Sequence, residues 1–162
     1  VLPDWVGAPQ ASRLRTALRE VNAADLVART RGRAVARTFR GHPAAIRRLA
    51  QDLVVTDSAV LGLVAAAEGG PAGSAAGAAP DRIRGYYPGA QLDSAVKFFG
   101  LVEDAAGNVV VRATGFDIAI VCELAEARVP VLTALDAATS LDPRERGLGM
   151  GAVQAALDRY RQ

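Results

Sequence analysis

"RTRGRAVARTFRG", residues 29–41, places five arginines in thirteen positions. Its reading decides whether the first forty residues are wholly helical or end in a strand. Taken as a helix at 100° per residue, Arg29, Arg33, Arg37 and Arg40 share one ridge, with Val27, Ala34, Val35 and Thr38 opposite. Taken as a strand, "AVARTF" alternates weakly, and Gly32 is a break. A glycine in a helix interior costs roughly 1 kcal/mol. The stretch is therefore expected to be helical to about Arg31 and to continue as a short strand.

Upstream, Pro3, Gly7 and Pro9 around Trp5 read as an ordered arm or linker. Ser12 is placed to cap a helix through about Val21, and Asn22 to cap a second one. Downstream, "HPAAIRRLAQDL" has Pro43 in its first turn and Ile46, Leu49, Ala50 and Leu53 on one face, which predicts a helix. "TDSAVLGLVAAA" (56–67) reads as a buried helix, and "EGGPAGSAAGAAP" (68–80) as a mobile loop. "RIRGYYP" reads as a strand, and "GAQLDSAVKFFG" as an amphipathic helix stopped by Gly100. "LVEDAAGNVVVR" (101–112) is expected to be a hairpin turning at Gly107 and Asn108. Periodicity does not decide between strand and helix for "GFDIAIVCELAEARVP". "VPVLTALDAATS" is helical with Val131, Ala134, Leu135 and Ala138 on one face. The last helix is capped by Asp142, with Pro143 in its first turn and Glu145 completing a pair like a capping box. Its buried stripe is Val153, Ala156, Leu157 and Tyr160.

Helices mixed with a few short, mostly antiparallel strands make the fold class α+β, as one helix-rich domain. Residues 1–40 are expected to form a helical, arginine-rich arm, and residues 41–162 the α+β domain. No run of eighteen apolar residues is present, so no membrane span is expected. The start, "VLPDWVGAPQ", lacks the basic and apolar regions of a secretion signal. A single cysteine, Cys122, fits a reducing cytoplasm.

Charge is unevenly spread. Residues 1–48 carry ten arginines against Asp4, Glu20 and Asp25, a net of +7, and the remainder carries a net of −5. The split implies two surfaces with different partners, or one surface that pairs with the other. Solvation of both faces is the plainer alternative.

Little points to catalysis. The spacings that hold zinc are absent, and His42 reads as a surface or capping residue and Cys122 as a small buried hydrophobe. "GLGMG" (147–151) has no strand before it and no GK[ST] after it, so it reads as the flexible first turn of the last helix rather than a phosphate loop. Asp117, Glu123, Glu126 and Asp136 lie within twenty residues, but no nucleophile or metal ligand accompanies them. Asp136, in an apolar helix, reads as a structural or partner-facing carboxylate. No enzyme activity, cofactor or metal is expected.

Three segments resemble the C-terminal domain of AbiE-type antitoxins, partners of nucleotidyltransferase toxins in bacterial toxin–antitoxin pairs. They are Tyr86, Tyr87, Pro88 and Leu92, continued by "GNVVVR"; Val129, Pro130, Leu135 and Asp136; and Asp142, Pro143 and Arg144. The likeness covers about residues 40–160. It implies a cytoplasmic antitoxin that binds a cognate nucleotidyltransferase toxin and occludes its active site. The family's N-terminal winged helix binds operator DNA, and no clear counterpart precedes residue 40. The expected partner contacts are the basic Arg29, Arg33, Arg37, Arg40 and Arg144 and the acidic Glu123, Glu126 and Asp136. The alternative is a DNA-binding regulator that sets the arginine stretch against phosphates.

Overall fold

In a computed structural model, residues 6–56, 82–126 and 131–162 are described. The helix and loop expected over 56–67 and 68–80 lie outside them, Thr56 excepted, as does Trp5.

Two helices precede the arginine stretch. α1 (Ala8–Glu20) starts at Gly7 with Pro9 in its first turn, so Ser12 is inside the helix rather than its cap. The Ser12 carbonyl accepts from the Thr16 hydroxyl at 3.2 Å. α2 (Ala23–Arg29) is capped as expected, the Asn22 side chain accepting from the Asp25 N–H at 2.8 Å. The helix then stops, one 3-10 turn covers Arg31–Arg33, and β1 runs Val35–Arg40. The α-helix thus ends two residues short of the expected Arg31, and Gly32 sits inside the 3-10 turn that leads into the strand.

α3 (Pro43–Asp52) follows, opened by Pro43 and by His42, whose Nδ1 accepts from the Ala44 N–H. Next come β2 (Val54–Val55), β3 (Ile83–Pro88), α4 (Leu92–Phe98), β4 (Val102–Glu103) and β5 (Val109–Thr114). α5 (Ile118–Glu126), α6 (Val131–Ala138) and α7 (Pro143–Arg161) close the chain. The ambiguous "GFDIAIVCELAEARVP" is therefore helical over α5.

The strands form one sheet in the order β2-β3-β5-β1-β4. β3 and β5 run parallel, and the other pairs are antiparallel. The fold is α+β. β1, inside the segment read as an arm, is an inner strand bonded to β5 on one side and β4 on the other.

The expected hairpin over 101–112 is a correction. β4 and β5 do not pair with each other, because β1 lies between them, with Phe39 opposite both Glu103 and Val109. The connection wraps the end of β1 instead. Asp104 accepts from the Ala106 N–H at 2.9 Å, and the Asn108 amide exchanges two hydrogen bonds with the Gly41 backbone. Gly107 passes so close to the Phe39 carbonyl that any Cβ would overlap it.

Strand alternation gives the sheet two faces. On one, Phe39, Ile83, Val109 and Val111 pack with Ile46 and Leu49 of α3 and Leu92 of α4. On the other, Tyr86 packs with Val121 of α5 and Leu132 of α6. α6 is buried all round, every residue from Leu132 to Ala138. Its outer side meets α7 and the first two helices through Val21, Val27, Ala134, Leu135, Ala138, Val153 and Leu157. Two residues of the expected α7 stripe, Val153 and Leu157, are buried, whereas Tyr160 is exposed. The glycines of "GLGMG" lie within α7 rather than in a loose turn. Gly149 brings α7 against α6 so closely that a Cβ would overlap the Ala138 backbone.

Candidate functional site: a buried carboxylate and an arginine-lined pocket

Strand register builds the site. Tyr86 of β3 lies opposite Arg112 of β5, and Arg112 lies opposite Ala36 of β1. These three form a row on the face that α6 covers. α6 lowers Asp136 onto that row, and Arg33 enters from the turn before β1.

Asp136 is 6% exposed, and its two oxygens are surrounded by donors. Oδ1 takes the Arg33 guanidinium, the Tyr86 hydroxyl at 2.7 Å and an ion pair with Arg112 Nε at 2.9 Å. Oδ2 accepts from the Thr56 hydroxyl at 2.9 Å. Arg33 Nε also donates to the Tyr86 oxygen at 2.8 Å, and its Nη1 to the Thr30 carbonyl at 2.9 Å. A buried carboxylate is tolerable only when paired and hydrogen-bonded, and this one is both. Burial, followed by the Asp136 charge, pushes the Tyr86 hydroxyl up to about 12. Burial opposes the charge of Arg33, but Tyr86 and Asp136 more than offset it and hold the guanidinium above its usual value.

Beside this cluster is a pocket of about 230 Å³ lined by Arg31, Arg33, Ala34, Ala36, Arg112 and Thr139. The two alanines leave that part of the sheet bare of large side chains. Thr139 is oriented by its hydroxyl bond to the Asp136 carbonyl at 2.9 Å.

The remaining candidates scatter. Arg37 reaches Asp93 at 3.0 Å and Glu103 at 3.2 Å, and both hydrogen bonds raise its pKa. Arg40 pairs with Asp104 at 2.7 Å. The Ala106 N–H and then Arg40 hold the Asp104 carboxyl below its ordinary value. Arg29, Glu123 and Arg144 are exposed on α2, α5 and the first turn of α7. The Glu126 side chain lies outside the described residues. Arg33 and Asp136 bind each other, so Asp136 presents no carboxylate to a partner, which corrects its place in an acidic docking patch. Part of the charge split resolves within the fold, as Arg37 and Arg40 of β1 pair with carboxylates from later in the chain.

The third resemblance segment opens α7. Asp142 caps it, accepting from the Arg144 N–H at 2.8 Å. Glu145 does not complete a capping box. Its carboxylate accepts from Arg84 of β3 and from the Ser140 hydroxyl, both at 2.5 Å. The Ser140 oxygen in turn receives the Asp142 N–H at 3.2 Å.

Arg112, Tyr86 and Thr56 were not singled out as site residues by sequence. The available signal was Arg112, a charge inside the apolar run "VVVRAT" of the expected second hairpin strand. Among the described residues no group of three or more His, Cys, Asp or Glu side chains is placed to hold a metal ion. Among them, too, no helix is long and apolar enough to cross a membrane. No family model, curated protein or solved structure matches the chain.

Proposed function

We propose that the chain is an antitoxin that binds a cognate nucleotidyltransferase toxin and occludes its active site, as the resemblance implies. The observation that carries this reading is the convergence of the three resembling segments. Tyr86 of the first bonds to Asp136 of the second. Arg84, two residues before Tyr86, bonds to Glu145, next to the Asp-Pro-Arg of the third. The first two segments thus meet directly, and the third is tied to the same frame through its neighbour Glu145.

Two further observations favour a protein partner over DNA. Arg33, Arg37 and Arg40 are engaged by carboxylates of the chain itself, so the arginine stretch does not offer phosphates one open row. Large apolar side chains are meanwhile left outside. Phe98 is 70% exposed and Val102 66%, at the two ends of the turn that joins α4 to β4. The Arg48 guanidinium stands 5.4 Å over the Phe98 ring, and Phe99 meets that ring edge-on. Aromatic and arginine side chains dominate the energetics of protein interfaces, and this turn is the toxin contact in our reading.

The test is co-expression with the product of the adjacent gene. The reading expects the two to co-elute on size exclusion and growth arrest by that product to be relieved. Independent elution with arrest unrelieved would sink it. Binding to the chain's own promoter across a salt series, with no toxin contact, would favour the DNA-binding regulator.

A further inference from the structure

We propose that the arginine-lined pocket beside Asp136 is a binding site for a small phosphate-class dianion. The inference is independent of the antitoxin reading and rests on charge, hydrogen bonding and size.

Arg31, Arg33 and Arg112 contribute three positive charges to the pocket and its wall. Asp136 returns one negative charge, through Arg33 and Arg112. Among the described residues the excess is therefore two positive charges, part of it on guanidiniums whose side chains are only 14% exposed. Uncompensated charge in such a place is costly, and a bound anion relieves it. A phosphate monoester carries about −1.5 to −2 at neutral pH, which matches that excess.

Hydrogen bonding points the same way. Arg112 Nη1 is buried and has no hydrogen-bond partner among the described residues. Buried polar groups are nearly always paired, so an orphan guanidinium nitrogen at the wall of a pocket calls for an acceptor. At the rim, Arg31 is exposed and has no hydrogen bond or ion pair among the described residues. Guanidinium forks suit phosphate oxygens, which accept two donors side by side.

Size sets the class of ligand. A volume of about 230 Å³ falls below the roughly 300–1,000 Å³ of sites that enclose a drug-sized molecule. The pocket takes a phosphate group, free or as the end of a mononucleotide whose remainder stays outside. Ala34 and Ala36 make this room, and a larger side chain at either position would fill it.

The experiment is calorimetric titration of the whole chain in chloride buffer at constant ionic strength. One arm uses inorganic phosphate and the other adenosine monophosphate. The site predicts saturable binding that Arg112→Gln and Arg31→Ala each weaken by about tenfold or more, as loss of a charged hydrogen bond should. Equal affinity in the two arms identifies free phosphate as sufficient, and tighter nucleotide binding identifies a terminal phosphate. Either result supports the site. Circular dichroism checks the fold of Arg112→Gln, and exposed Arg31→Ala decides the matter if that variant does not fold. No saturable binding in either arm at about 10 mM ligand, or binding that the folded variants retain undiminished, would overturn the proposal.

Discussion

Replacing Asp136 by Ala is the most informative perturbation of the fold. The carboxylate is 6% exposed and serves Arg33, Arg112, Tyr86 and Thr56 together. Its removal leaves two largely buried guanidiniums without their counter-charge. Breaking a buried ion pair from one side costs about 3–5 kcal/mol. The Tyr86 and Thr56 hydroxyls each lose an acceptor, a loss of about 1–3 kcal/mol when nothing replaces it. These terms share partners and do not add, so the expected total is about 5 kcal/mol. Whole domains have only about 5–15 kcal/mol of stability, so Asp136→Ala should be largely unfolded or close to it. Asp136→Asn keeps an acceptor oxygen and should lose about 3 kcal/mol, mostly from the charge. Urea unfolding followed by circular dichroism measures both. Combining Asp136→Asn with Arg33→Met should cost less than the sum of the singles by about 1–3 kcal/mol, since each removes the other's unpaired charge. If Asp136→Ala stays within about 1 kcal/mol of the parent chain, or the two singles are additive, the reasoning about the buried cluster fails.

Tyr86 predicts an alkaline limit to stability. Its hydroxyl is pushed up from 10 to about 12, so the unfolded chain releases this proton first. The contribution is complete below pH 10 and is lost as the pH rises to about 12, amounting to about 3 kcal/mol. Tyrosinate absorbance should show a late step that Tyr86→Phe removes, and a late step surviving in that variant would contradict the assignment. Gly149→Ala forces a Cβ into the Ala138 backbone, so α6 and α7 must separate at a cost of about 1–3 kcal/mol or more, despite the better helix propensity of alanine. An unchanged or raised melting temperature would disprove that close approach. Asp142→Ala removes the α7 cap and should lower stability by about 1 kcal/mol in urea unfolding. Phe98→Ala, at a 70% exposed position, should leave unfolding unchanged within about 0.5 kcal/mol while weakening toxin co-elution.

What could be read from the sequence was local. Asn22, His42 with Pro43, and Asp142 with Pro143 fix helix starts through bonds spanning two or three residues, and those starts stand. The switch from helix to strand in "RTRGRAVARTFRG" was also legible, although the α-helix ends at Arg29 and a 3-10 turn over Arg31–Arg33 carries Gly32. The hairpin failed because adjacency in sequence favours β4 with β5, whereas β1, more than sixty residues earlier, supplies the partner for both. Nothing between 101 and 112 announces that insertion except Gly107, which looked like an ordinary turn residue. Asp136 was recognisable as a carboxylate in an apolar helix. Its cations were not, since Arg33 is 103 residues away and Arg112 comes from another strand. Glu145 illustrates the same limit. Its spacing from Asp142 suits a capping box, but Arg84 from the sheet outcompetes the helix end for its carboxylate.

Direct evidence for a stoichiometric binder would come from titrating the chain against the purified product of the adjacent gene while nucleotidyl transfer is measured. Occlusion predicts a linear fall in activity that ends when the two proteins are present in about equal amounts, with Phe98→Ala rounding that break so that more chain is needed for the same inhibition. Transfer that continues at full rate in excess chain would contradict the reading. So would suppression by far less than one equivalent, which would mark the chain as a catalyst instead.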